Sequence, residues 1–251
     1  MKKKLVAVVL MIACLMTQEK FVFAKSESAD DVLLATGMTL AEIDAMDPDI
    51  KEYIAANLPK SSRYIETYSA ELPSELQASG TNLATLTCPM FEVWNSLGHN
   101  IKAFPTYETK MVIRPKGHDM FVIGVGTGMN IAPGQFSGTI WCMDMDAANP
   151  TWVKNGSLAT TEEAIEYIAV GGLQLGTPSY AMKFKGCCST IIRQSNPNAT
   201  RMVALKYSYD RTGTVSYNVG ISAGFISLGL SAGAQANVQI ASATFDVPTL
   251  S

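Results

Sequence analysis

The last third of the chain shows the clearest pattern of apolar and polar positions. Residues 212–245 contain no charged side chain, and from Val215 onward an apolar residue alternates with a small or polar one. After Ala223-Gly224 the alternation changes phase, which is typical of two strands joined by a hairpin turn. The pattern predicts a hairpin over residues 214–231. Its apolar positions are Val215, Tyr217, Val219, Ile221, Ile226, Leu228 and Leu230.

The segment before residue 73 has a helical pattern instead. Thr39 and Glu42 have the spacing of a capping box, in which the two residues satisfy each other's backbone N–H groups at a helix start. Asp47-Pro48 places an N-cap residue before a Pro at the first helical position. We therefore predict helices within residues 28–72, the last of them from Arg63 to Leu72.

The remainder of the chain has the residue pattern of a β protein. From Cys88 onward, runs rich in β-branched and aromatic residues alternate with turn residues, which predicts strands. One stretch, from Thr160 to Gly172, instead predicts a helix that ends at a pair of glycines. The predicted fold class is therefore α+β: a small helical acidic N-terminal segment, a polar linker over 73–87, and a mainly antiparallel β-sheet or sandwich body with one inserted helix.

The first 24 residues have the features of a secretory signal peptide. Three lysines precede an apolar run of 12 residues from Leu5 to Met16, which is shorter than the roughly 20 residues that a membrane-spanning helix needs. Val22-Phe23-Ala24 then provides a cleavage site for signal peptidase. We predict an extracellular protein cleaved after Ala24; lipidation at Cys14 is the weaker alternative.

Charge divides the predicted mature chain into two parts. Residues 25–80 carry eleven Asp and Glu against four Lys and Arg, whereas residues 81–251 carry ten acidic and eleven basic residues. These boundaries define a predicted acidic helical segment, which we also consider as a pro-region, and a β-rich domain. Since no basic block is present to follow a phosphate backbone, the composition argues against nucleic acid as a partner.

Four cysteines remain after the predicted cleavage: Cys88, Cys142, Cys187 and Cys188. An exported protein meets an oxidising compartment, so an even number of cysteines predicts two disulfides. Neighbouring residues on a strand point to opposite faces. We therefore expect Cys187 and Cys188 each to pair with Cys88 or Cys142, and leave the pairing open.

Motifs for catalysis are weak. Ser222 and Ser231 each lie in a G-x-S-x-G sequence, but no helical pattern follows either serine, as a nucleophile elbow requires. Cys88 with His118 is the remaining candidate for a nucleophile and its base. The glycines from Gly124 to Gly128 lack the third glycine of a dinucleotide loop. We expect neither a metal site nor a cofactor.

Two kinds of function fit these patterns. The favoured interpretation is an exported, non-catalytic β-rich protein that associates with the cell envelope, a membrane or a protein partner; its oligomeric state is open. A pore-forming or bacteriocin-like toxin that uses the uncharged hairpin at 214–231 is one alternative. A secreted hydrolase that uses Cys88 or a serine with His118 is the other.

Overall fold

A computed structural model describes residues 27–73, 82–110, 119–126, 128–157, 165–169, 182–196, 201–210, 217–222, 225–230, 238–247 and 250. Three short helices come first: α1 (Ala29–Ala35), α2 (Leu40–Asp44) and α3 (Pro48–Asn57). The predicted start signals are confirmed, because Thr39 and Glu42 form the capping box of α2 and Asp47 caps α3. The predicted signal peptide, its cleavage site and Cys14 lie outside the described residues.

Most of the body is antiparallel β-sheet, as predicted. The strands that form the first sheet, sheet A, are β1 (Arg63–Pro73), β2 (Asn82–Asn95), β3 (Gly98–Ala103), β4 (Thr106–Thr109), β6 (Met129–Asp144), β7 (Trp152–Ser157) and β9 (Met182–Gln194). Their order is β1-β2-β3-β9-β6-β7, with β4 paired to β2 and β9. Adjacent strands of sheet A are antiparallel.

A second sheet packs against the first. Sheet B has the order β13-β10-β5-β8 and is formed by β5 (Asp119–Val125), β8 (Ile165–Ala169), β10 (Met202–Asp210) and β13 (Val238–Asp246). A separate two-stranded ribbon is formed by β11 (Tyr217–Ser222) and β12 (Phe225–Leu230). The predicted hairpin is therefore confirmed as a pair of strands.

The two faces of sheet A are covered differently. On one face, alternating residues of sheets A and B form the main core, which includes Leu86, Tyr107, Phe121 and Tyr207. The rings of Tyr107 and Tyr207 stack with centroids 4.8 Å apart. On the other face, the helices bury their apolar residues against a smaller group of side chains from sheet A: Phe91, Phe104, Trp141 and Cys187.

Two predicted helices are wrong. Residues 63–73 form β1, which pairs with β2, and residues 165–169 form β8, which pairs with β5. Both stretches contain β-branched and aromatic residues, which pack well on a pleated surface. The linker prediction for 73–87 is also corrected, since β2 begins at Asn82. No α-helix lies in the described residues of the β-rich body.

The two predicted disulfides are absent from the described structure, in which Cys88, Cys142, Cys187 and Cys188 all retain their thiols. The side chains explain why the expected pairing fails. Cys187 and Cys188 do point to opposite faces of β9, but Cys88 and Cys142 both lie with Cys188 in the main core. Cys187 instead packs against the helices, in a layer that holds none of the other three described cysteines.

Candidate functional site

The ribbon pairs its apolar positions with one another. In its register, Tyr217 lies opposite Leu230, Val219 opposite Leu228, and Ile221 opposite Ile226. The intervening positions pair Asn218 with Gly229 and Gly220 with Ser227. Directly opposed residues of antiparallel strands fall on the same face of the sheet. The predicted apolar positions of these two strands therefore share one face of the ribbon; Val215 lies outside the described residues.

The ribbon lies beside sheet B rather than within it. Cα atoms of β12 come within 8 Å of both β5 and β10, although the ribbon forms a sheet of its own. Val122, Ala204 and Ser208 are buried, and they alternate with residues that point into the main core. These three residues therefore belong to the outer face of sheet B, and the ribbon lies against the two strands that carry them.

The catalytic candidates do not form a site in the described residues. Cys88 is fully buried, and burial raises the pKa of its thiol, which is the opposite of what an activated nucleophile needs. Burial raises the pKa of the Cys187 thiol as well. Ser222 ends a strand of the ribbon, and the next described element is another strand, not a helix. His118 and Ser231 lie outside the described residues.

The other histidine, His99, belongs to a polar group at the end of the β2–β3 hairpin. Its ring stacks on that of Trp94 with centroids 4.5 Å apart, and its Nε2 atom lies 3.9 Å from Oε2 of Glu92. Arg63 pairs with the same carboxylate oxygen at 2.6 Å. Cys88 points into the main core, away from this group, so its thiol does not meet the imidazole of His99.

A cavity of about 300 Å³ lies between one part of the helical layer and sheet A. Its floor consists of hydroxyl-bearing residues from three strands, and the register aligns Ser69, Thr87 and Thr106 in one row. Thr85 lies in the next row, opposite Glu108. Helix α2, the turn before α3 and the first turn of α3 provide the roof, which includes Glu42, Ala45, Met46, Asp47 and Ile50.

The charged side chains around this cavity differ in their partners: Glu42 is held by hydrogen bonds, whereas Lys185 forms ion pairs. Glu42 accepts hydrogen bonds from the Thr39 backbone and hydroxyl on one oxygen and from Tyr64 on the other. The bonds from Thr39 and then from Tyr64 lower the pKa of Glu42, so the carboxylate is ionised at neutral pH. The side chain of Lys185 is fully buried beneath the helices, and its ammonium contacts Asp47 at 2.6 Å and Asp49 at 2.7 Å.

Sequence reasoning did not identify this cavity or Lys185. The alternation of Thr85 and Thr87 with apolar residues was the available signal, because it places two hydroxyls on one face of a strand. Lys185 gives no such signal, since its partner Asp47 is 138 residues away in the sequence.

No group of three or more His, Cys, Asp or Glu side chains in the described ranges is arranged to hold a metal ion. None of the helices that the structure describes is long and apolar enough to cross a membrane.

Comparison with known proteins gives only distant similarities. No protein-family model and no curated protein sequence matches the chain. A solved structure described as a pore forming protein aligns with a TM-score of 0.32 and 10% identity, over 74% of this chain and 95% of the other. Clostridium perfringens delta-toxin aligns with a TM-score of 0.30 and 8% identity, over 74% and 90%.

The NetB toxin of Clostridium perfringens, in its membrane inserted form, aligns with a TM-score of 0.24 and 8% identity, over 72% of this chain and 97% of the other. Similarity at this level does not establish a shared fold or a shared function.

Proposed function

We propose that this protein is an exported, non-catalytic β protein that acts on membranes, and that the β11–β12 ribbon is the part that enters lipid. The register of the ribbon is the observation that carries this proposal. It pairs apolar positions with apolar positions, and small or polar positions with one another except for Ser222 and Phe225 beside the turn, within a stretch that contains no charge. A strand that faces lipid on one side and water on the other has this alternation.

The length of the uncharged stretch supports the proposal. A membrane-spanning strand needs about 9–11 residues. The two described strands have six residues each. In the membrane-inserted form that we propose, the same register continued away from the turn would pair Thr212 with Gln235 and give two strands of 11 residues, 212–222 and 225–235. The uncharged stretch of 34 residues is thus long enough for the proposed hairpin to cross a bilayer.

The faces of this extended hairpin differ in composition over their whole length. One face carries Gly213, Val215, Tyr217, Val219, Ile221, Ile226, Leu228, Leu230, Ala232 and Ala234. The other carries Thr212, Thr214, Ser216, Asn218, Gly220, Ser222, Phe225, Ser227, Gly229, Ser231, Gly233 and Gln235. Only Phe225, beside the turn, is a large apolar residue on the second face. We propose that the first face contacts lipid and the second an aqueous lumen.

A single hairpin cannot span a membrane alone. The two outer edges of a two-stranded ribbon leave backbone N–H and C=O groups without partners, and each such group costs several kcal/mol in lipid. Ribbons from several copies of the chain, joined edge to edge into a closed sheet, would satisfy these groups. The proposed active form is therefore an oligomer that permeabilises the membrane.

Release of a trapped dye from liposomes tests the proposal, and the ribbon offers a matched pair of variants. Leu228→Lys places a charge on the lipid-facing side, whereas Ser227→Lys places the same charge one residue away on the lumen side. A lysine that faces lipid near the bilayer centre costs about 2–4 kcal/mol. We expect wild-type protein to release dye, Leu228→Lys to slow release at least about tenfold, and Ser227→Lys to retain it.

Circular dichroism and thermal melting of both variants would first establish that they fold like the wild type. An absence of dye release by the wild-type protein would exclude the membrane-permeabilising function and leave adhesion to the envelope as the alternative. Equal effects of the two lysines would exclude the assignment of the two faces.

A further inference from the structure

The cavity beneath the helices combines apolar side chains with hydroxyl-bearing and acidic ones. Glu42, Asp47 and Glu108 all contribute to its lining, which contains no Lys, Arg or His. Lys185, the cross-strand partner of Glu108, is the nearest cation by register, but its ammonium is directed to Asp47 and Asp49. Glu42 and Glu108 are thus left without a basic partner among the lining residues. Such a cavity disfavours an anionic ligand.

Two observations argue for an organic ligand rather than a metal ion. The described acidic side chains do not converge in a group of three or more, as a site for a bare metal ion would require. The cavity volume of about 300 Å³ instead falls at the lower end of the range for small-molecule sites, about 300–1,000 Å³. A ligand that fills it is larger than an ion and comparable to one sugar ring or two.

The lining also suggests how such a ligand would be held. Both oxygens of Glu42 already accept hydrogen bonds, one from Thr39 and the other from Tyr64. Glu108 is therefore the lining carboxylate that can accept a hydrogen bond from a charged group of the ligand. Ser69 and Thr85 provide hydroxyls that can donate to or accept from hydroxyl groups. Met46 and Ile50 in the roof offer an apolar surface to the face of a ring.

We propose that this cavity binds a small organic cation rich in hydroxyl groups, of the amino sugar class. The ammonium pairs with Glu108, and the sugar hydroxyls bond to Ser69 and Thr85. Glu42 adds negative potential without direct contact. The site is distinct from the ribbon, so it does not depend on the proposed membrane activity.

Isothermal titration calorimetry of the purified protein tests this site with three sugars of similar size and different charge: glucosamine, glucose and glucuronate. We expect glucosamine to bind at least about tenfold more tightly than glucose, because a hydrogen bond to a charged partner is stronger than one between neutral groups, and we expect no binding of glucuronate. Glu108→Gln should weaken glucosamine binding about tenfold and leave glucose binding nearly unchanged.

Glu52→Gln is the matched control, because it makes the same change in charge at an exposed position of α3 that does not line the cavity. This variant should bind glucosamine as the wild type does. Thr85→Val provides a second test that changes no charge, and we expect it to weaken both glucosamine and glucose. Equal affinity for the three sugars, no binding of glucosamine, or equal effects of Glu108→Gln and Glu52→Gln would each overturn the proposal.

Discussion

The buried ion pairs of Lys185 provide a direct test of how the helices are attached to sheet A. The side chain is fully buried, its ammonium lies within 2.7 Å of Asp47 and Asp49, and it lies 4.4 Å from the centre of the Trp152 ring. The double variant Asp47→Asn/Asp49→Asn removes both negative charges but retains the side-chain shapes. Asn is also as good an N-cap as Asp, so the start of α3 is preserved.

The structure gives an expected magnitude for each change. Without its partners, the Lys185 ammonium is a buried and uncompensated charge, which costs about 3–5 kcal/mol. Lys185→Met fills a similar volume and leaves Asp47 and Asp49 with side chains that are 19% and 38% exposed, so both carboxylates regain water. We expect this variant to cost only about 1–2 kcal/mol. The triple variant should resemble Lys185→Met rather than the sum of the two changes.

Urea denaturation at neutral pH, followed by circular dichroism, would measure these free energies of unfolding. The m-values should be equal among the variants, so that a shift in midpoint reports stability alone. We expect a coupling free energy of at least about 2 kcal/mol between Lys185 and the two aspartates, well above the additivity error of about 0.5 kcal/mol. Additive effects, or an asparagine double variant as stable as the wild type, would refute this account of the attachment.

Four further predictions follow from particular residues. Gly186→Ala should destabilise the protein by about 1–3 kcal/mol in thermal melts, because a Cβ atom at this position would collide with the ring of Tyr107; an unchanged melting temperature would contradict the close approach. The four described thiols are buried, so native protein should react slowly with a thiol reagent. Unfolded protein should expose four reactive thiols if the predicted signal peptide has been removed, and five if Cys14 remains. Ala204→Cys places a thiol on the face of sheet B that the ribbon covers. This thiol should react slowly with a maleimide in solution and faster once liposomes are added and the ribbon leaves; equal reaction rates with and without liposomes would argue against displacement of the ribbon. The pKa of Glu42 is lowered, so its ionised form stabilises the fold at pH values above the ordinary pKa of 4.5, and this contribution is lost as the pH falls through the lowered pKa. Glu42→Gln should therefore lower the melting temperature at pH 7 by an amount worth less than about 1 kcal/mol, and its effect should shrink as the pH is lowered.

Local signals in the sequence predicted the elements that depend on local contacts. The capping box at Thr39 and the Asp47-Pro48 start both involve residues within one turn of a helix, and both helices begin where these residues predict. The hairpin of β11 and β12 is similarly local, because its strands are separated by two residues. These elements could be predicted because neighbours in the sequence are also partners in the structure.

Elements that depend on distant partners could not be predicted in the same way. The segment 63–72 ends before Pro73, as helices commonly do, but it is a strand because β2 offers a ladder of backbone hydrogen-bond partners. Residues 165–169 become a strand for the same reason, at the edge of sheet B beside β5. The disulfide prediction could not be made correctly from the sequence, because the packing of the two sheets decides which face Cys88 and Cys142 occupy.

The order of steps in the proposed membrane activity follows from the cost of moving the ribbon. In the described structure the ribbon forms its own sheet, so it can leave sheet B without breaking a strand-to-strand ladder. Its departure uncovers the face that carries Val122 and Ala204, and each large apolar side chain that becomes exposed costs about 1.5–3 kcal/mol. Entry of one ribbon into lipid would add the cost of two unpaired edges. Neighbouring copies remove that second cost only if they are already adjacent, and we therefore expect assembly on the membrane surface to precede insertion of the ribbons.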